Sequence, residues 1–130
     1  MPDAFELFIF DQYENHLFNL KRVPIGQVDS VGTNKDVEYG IVVVTIQMSK
    51  KDTSRIENMH WTMPRGTRTI AVFSSLLAKS VMGMTIEEAA NVDFQDVITN
   101  FNVNWPTKME WNSVAPLQAL RQALNSIRKL

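Results

Sequence analysis

Tyr39-Gly40-Ile41-Val42-Val43-Val44-Thr45-Ile46-Gln47-Met48, then Ser49-Lys50-Lys51-Asp52, then Arg55-Ile56-Glu57-Asn58-Met59-His60-Trp61-Thr62-Met63: this run decides the fold class. The β-branched block Ile41 to Ile46 suits a pleated, half-buried surface and predicts a strand over Tyr39–Met48. Side chains alternate across a strand, so Val42, Val44, Ile46 and Met48 share one face. The second apolar run predicts a strand over Arg55–Met63, with Met59, Trp61 and Met63 on one side. Two such runs joined by a short charged turn make an antiparallel hairpin.

Helical periodicity takes over on the C-terminal side. Pro64-Arg65-Gly66 ends the second strand, and a helix is expected over Thr67–Met82 with the stripe Ile70, Phe73, Leu77 and Val81. Gly83 stands where a left-handed residue closes such a helix. Thr85-Ile86-Glu87-Glu88 has the form of a capping box and opens a shorter helix. Asp93 to Ile98 predicts a further helical turn, and Asn100 to Asn112 a loop. A last helix runs from Val114 to about Arg128, striped by Leu117, Leu120, Leu124 and Ile127. Ser113 is its expected N-cap, Pro116 falls in its first turn, and Arg128 and Lys129 suit its C-terminal dipole.

On the N-terminal side, Phe5, Phe8, Ile9 and Tyr13 predict a helix over Asp3–Asn15. Pro24 and Gly26 mark a turn, Gln27–Val31 a weak strand, and Gly32-Thr33-Asn34-Lys35-Asp36 a polar loop. The whole is one α+β domain over residues 1–130: a small antiparallel sheet with helices packed on one face.

Composition narrows the chemistry. Thirteen basic residues against fourteen acidic ones leave no charge excess toward nucleic acid or a membrane surface. No apolar run reaches the ~18 residues of a membrane span, and the N-terminus lacks the basic-then-apolar pattern of a secretory leader. A cytoplasmic location is expected. The 130 residues contain no cysteine, which removes disulfides, thiolate metal sites and persulfide chemistry together. There is also no Ser-His-Asp set, phosphate loop or metal-binding helix motif. An enzyme is not expected.

An ordered set of landmarks resembles the iron–sulfur cluster assembly scaffolds known as IscU, SufU and the N-terminal domain of NifU. Asp11-Gln12-Tyr13-Glu14-Asn15 resembles the end of the family's first helix. Val31-Gly32 resembles the glycine turn before its first cysteine. Ser74-Ser75-Leu76, Gly83 and Thr85-Ile86-Glu87-Glu88-Ala89 resemble the helix after the second cysteine and the segment beyond it. Pro106-Thr107-Lys108-Met109, with the helix from Ser113, resembles the surroundings of the third. The resemblance implies the family's α+β fold, and it sets Asp36 at the first cysteine, Glu38 at the neighbouring aspartate, and Thr67 at the second cysteine. Asn112 falls at the third cysteine and Trp111 at the histidine before it, with one residue of play in the alignments at the second and third cysteines.

Asp36, Glu38, Thr67 and Asn112 offer oxygen where clusters require thiolates. His60, in a strand, and His16, beyond the first helix, do not replace them. No cofactor is expected. The resemblance implies a scaffold-like, non-catalytic interaction or regulatory module, with a cysteine desulfurase, a cysteine-containing scaffold or a second copy of the chain as partner. Trp105, Pro106 and Lys108 resemble the segment that chaperones grip in IscU-type scaffolds. Trp105 is either an exposed anchor or a core residue beneath a loop. The alternative function is a repurposed pocket for a small molecule or hard metal ion, with Asp36, Glu38, Arg65, Arg68 and Asn112 around it. In the plainer reading, Asp36 and Asn112 are turn and helix-end residues, and Arg65 and Arg68 a solvated pair.

Overall fold

The computed structural model describes residues 17–18, 20–23, 36–39, 42–65 and 68–128. The helix over Asp3–Asn15, the strand over Gln27–Val31, His16 and the positions of Gly66 and Thr67 lie outside the described residues.

Strands β1 (Leu20–Val23), β2 (Asp36–Tyr39), β3 (Val42–Met48) and β4 (Ile56–Pro64) form one sheet in the order β1-β4-β3-β2. The hairpin read from the sequence is β3–β4, with Val44 opposite Trp61 and Ile46 opposite Met59. Its turn is tied locally. The Ser49 amide donates to the Arg55 carbonyl at 2.9 Å, and the amides of Lys51 and Asp52 donate to Ser49 Oγ at 3.2 Å each. A register shift at Gln47/Met48 interrupts the alternation, and Met48 is only half-buried.

Two corrections concern the sheet. The expected strand over Tyr39–Met48 is two strands: Tyr39 ends β2 and pairs with Val42, which begins β3, so the chain reverses between them. The expected antiparallel sheet is mixed, because β1 runs parallel to β4. Thirty-two residues separate Val23 from Ile56, ample for the crossover that parallel neighbours need. Leu20-Lys21-Arg22-Val23 is too short and too charged to read as a strand, and charged residues are common on such edges.

Helices α1 (Arg68–Val81), α2 (Ile86–Ala90), α3 (Phe94–Asn100) and α4 (Val114–Arg128) follow, with a 3₁₀ helix over Thr107–Ser113 before α4. The last replaces the loop expected there. Helix α1 packs on β4, and α4 on β2 and β3. The helices meet the face formed by Val42, Val44, Ile46, Met59, Trp61 and Met63, all buried. Lys21, Gln47 and His60 are exposed and alternate with these core positions.

Helix α1 is buried almost all round, well beyond the four-residue stripe read from its sequence. Its small residues Ala71, Ser74, Ser75 and Ala78 let other chain approach closely. Ser75 Oγ accepts from the Phe18 amide at 3.0 Å while donating to the Ala71 carbonyl at 2.9 Å. The α4 stripe is as read, with Leu117, Leu120 and Leu124 buried and Ile127 half-buried.

Candidate functional site at the N-terminal ends of two helices

Chain direction decides which segments meet. Helix α1 follows β4 and returns along it, since Gly83, just past the helix, donates to the carbonyl of Ile56 at the start of β4 (2.8 Å). Arg55 ties this end down: Nη1 donates to the Gly83 carbonyl at 2.8 Å and lies 3.8 Å from Glu88. Arg128, at the end of α4, pairs with the adjacent Glu87 at 2.9 Å. The C-terminal ends of α1 and α4 therefore share one end of the molecule. Each helix is ~21–22 Å long by its residue count, so their N-terminal ends share the other.

The sheet brings a third junction to that other end. Strand β4 finishes there at Pro64, and β3 starts beside it, Val43 pairing with Thr62. The β2–β3 reversal after Tyr39 follows from that pairing. The end of β2, the start of β3, the end of β4 and the N-terminal ends of α1 and α4 thus lie at the same end of the molecule.

The profile of the family described as NifU-like N terminal domain matches residues 10–129. The chain belongs to that family. Two solved structures share the fold of this NifU-like domain. One is the N-terminal part of a nitrogen-fixing NifU-like protein from Brucella abortus, at 10% identity and a TM-score of 0.55, covering 98% of this chain and 94% of that one. The other is a protein assigned as an iron–sulfur cluster assembly scaffold for the SUF system from the thermophilic Fervidobacterium islandicum AW-1. It is 14% identical with a TM-score of 0.55, covering 95% of this chain and 96% of that one. At these identities the likeness shows the fold. No curated protein matches the sequence.

Within this NifU-like fold, the residues singled out from the sequence do not all meet. Asp36 is not in a turn: it begins β2 opposite Thr45, three residues short of the reversal. Glu38 stands opposite Val43. Val37 and Tyr39 stand opposite Val44 and Val42. Arg65 is exposed and Arg68 half-buried at the β4–α1 junction.

At the junction into α4, Trp111 is exposed and Asn112 buried. The Asn112 side chain donates from Nδ2 to the Met109 carbonyl at 3.2 Å. Ser113 does not cap α4 with its hydroxyl, which donates back to the Glu110 carbonyl at 2.7 Å because the 3₁₀ helix runs straight into α4.

Of the two roles open for Trp105, the structure shows the interior one. Trp105 is buried, with its ring edge-on to Phe73 and Phe94 at 5.7 and 6.3 Å between centroids. Its indole N–H donates to the same Met109 carbonyl at 2.9 Å. Composition leaves both roles open for a tryptophan in a polar loop, and the packing of α1 and α3 decides between them. Pro106 is half-buried and Lys108 exposed.

The tryptophan that sequence reasoning passed over as a surface feature is Trp111. It is 65% exposed and accompanied by Val114 at 50%, one turn on. No periodic signal in the sequence could have found it, because Val114 also stands three residues before Leu117 of the buried stripe. Among the described residues no group of three His, Cys, Asp or Glu side chains is placed to hold a metal ion. Nor is any described helix long and apolar enough to cross a membrane.

Proposed function

We propose that this chain is a non-catalytic interaction module of iron–sulfur cluster assembly, a scaffold relative that no longer carries the cargo. One observation carries the reading: a NifU-like domain over residues 10–129 contains no cysteine. Iron–sulfur clusters are held by thiolates, with histidine an occasional substitute, and sulfur is passed between cysteines as a persulfide. The donor set of this chain fits neither task. The role that remains in this reading is docking, with a cysteine desulfurase or a cysteine-bearing scaffold as partner, in the cytoplasm.

The test is titration of the purified chain against the desulfurase and the cysteine-bearing scaffold of its own organism, alongside anaerobic incubation with ferrous iron and sulfide. Saturable binding to one partner and a colourless chain after desalting are expected. Absence of binding to both at about 50 μM, weaker than a typical specific complex, removes the docking role. Retained colour near 400 nm removes the loss of cargo.

A further inference from the structure

We infer that the third-ligand position of this chain has been rebuilt as core, so that returning a thiol to it does not return a ligand. The inference rests on the family assignment above and on no partner. The resemblance places the third cysteine at Asn112 with one residue of play, and the structure separates the two neighbours sharply. Trp111 faces solvent, and Asn112 is 2% exposed.

Asn112 is also committed. Its amide and the Trp105 indole converge on one acceptor, the Met109 carbonyl, at 3.2 and 2.9 Å. Trp105 is in turn enclosed by Phe73 and Phe94, whose rings stack at 5.9 Å. This arrangement joins the 3₁₀ helix to α1 and leaves residue 112 turned into the protein. A cluster or an incoming persulfide needs a sulfur that faces out, and of the two neighbours only position 111 does.

A cysteine-free chain is a clean background for the experiment. Asn112→Cys and Trp111→Cys each introduce the only thiol, and its reaction with an aromatic disulfide reagent is followed in native buffer and in denaturant. The Asn112→Cys thiol is expected to react at least about 100-fold more slowly in the folded chain than in denaturant, as a group exposed only by local opening does. The Trp111→Cys thiol is expected to react at nearly equal rates in both. Comparable fast rates for the two thiols in chains that keep their thermal transition would overturn the inference, and so would a protected thiol at 111.

Should Asn112→Cys not fold, the side-chain NH₂ protons of Asn112 in the ¹⁵N-labelled native chain decide. Slow exchange supports the buried clamp, and exchange at the free-amide rate overturns it. Either failure leaves the docking function untouched, because the isolated chain is all that is measured.

Discussion

The two ends of α1 are built by different means. At its C-terminal end the chain obeys local rules. Gly83 takes φ +83°, the left-handed value that a helix terminator requires. Thr85 accepts from the Glu88 amide at 3.2 Å, and Glu88 accepts from the Thr85 amide at 3.1 Å. The helix terminator and the capping box find their partners within a few residues and were legible in the sequence, while Arg55 and Ile56 add ties to this end from across the chain. At the N-terminal end the deciding contacts are not local, although Asn112, Trp105 and Ser113 also bond to carbonyls three or four residues away. Trp105 closes on Phe73 and Phe94, Asn112 turns inward, and Asp36 begins a strand opposite Thr45. Short-range hydrogen bonding is encoded in residue type and spacing. Which of two adjacent side chains enters a core depends on what the rest of the chain puts there.

That contrast can be broken by mutation, and the largest effect belongs to the non-local end. Trp105→Ala removes a ring held on three sides and one donor to Met109, and is expected to cost ~3–5 kcal/mol, read from the denaturant midpoint. A loss below about 1 kcal/mol, the range of surface substitutions, would mean that the tryptophan slot is not core.

The local end responds in smaller steps. Gly83→Ala meets no atom within 4 Å of its new Cβ. Its cost is therefore backbone strain alone, ~1–2 kcal/mol. Thr85→Ala removes one half of the capping box and is expected to cost ~1 kcal/mol. If either change costs as much as Trp105→Ala, the two ends do not differ in kind.

The finest test is one of pH. Glu88 is held below the usual carboxylate range by the Thr85 amide and hydroxyl, which outweigh an opposing cost of desolvation, with the Arg55 charge a smaller contribution still. A carboxylate depressed in the folded state contributes stability above its unfolded pKa and loses it as pH falls through the folded value. The midpoint difference between wild type and Glu88→Gln is expected to be present at pH 7 and to vanish on acidification below pH ~4. A difference that persists at lower pH would assign the effect of Glu88 to something other than its charge. At the other extreme of exposure, Trp111→Ser is expected to move stability by no more than ~0.5 kcal/mol, so the two tryptophans six residues apart should differ about tenfold in cost.

Most of the fold could be read in advance for the reason these experiments exploit. The β3–β4 hairpin, α1, the capping box and α4 each carry their own period or punctuation. Strand β1 could not be read, because Leu20–Val23 is extended only through its parallel pairing with Trp61–Pro64. The 3₁₀ helix was hidden likewise: Thr107–Ser113 has no apolar period of its own and is held by the packing of Trp105 and Met109. Landmark spacing named Asp36 for the ligand end, but register decides where it falls, and no property of the residue itself reveals that it starts a strand.

By itself the sequence determined the chemistry that is impossible here. A chain without sulfur nucleophiles has no thiolate ligand and no persulfide, whatever its shape, because that capacity resides in an atom. The helices and the central hairpin follow from periodicity, which is also a property of the string. Tertiary structure alone decided that Trp111 faces water while Asn112 and Trp105 face inward, and that β1 joins the sheet in parallel. Burial and pairing are relations between distant segments, and only the folded chain supplies the second member of each pair.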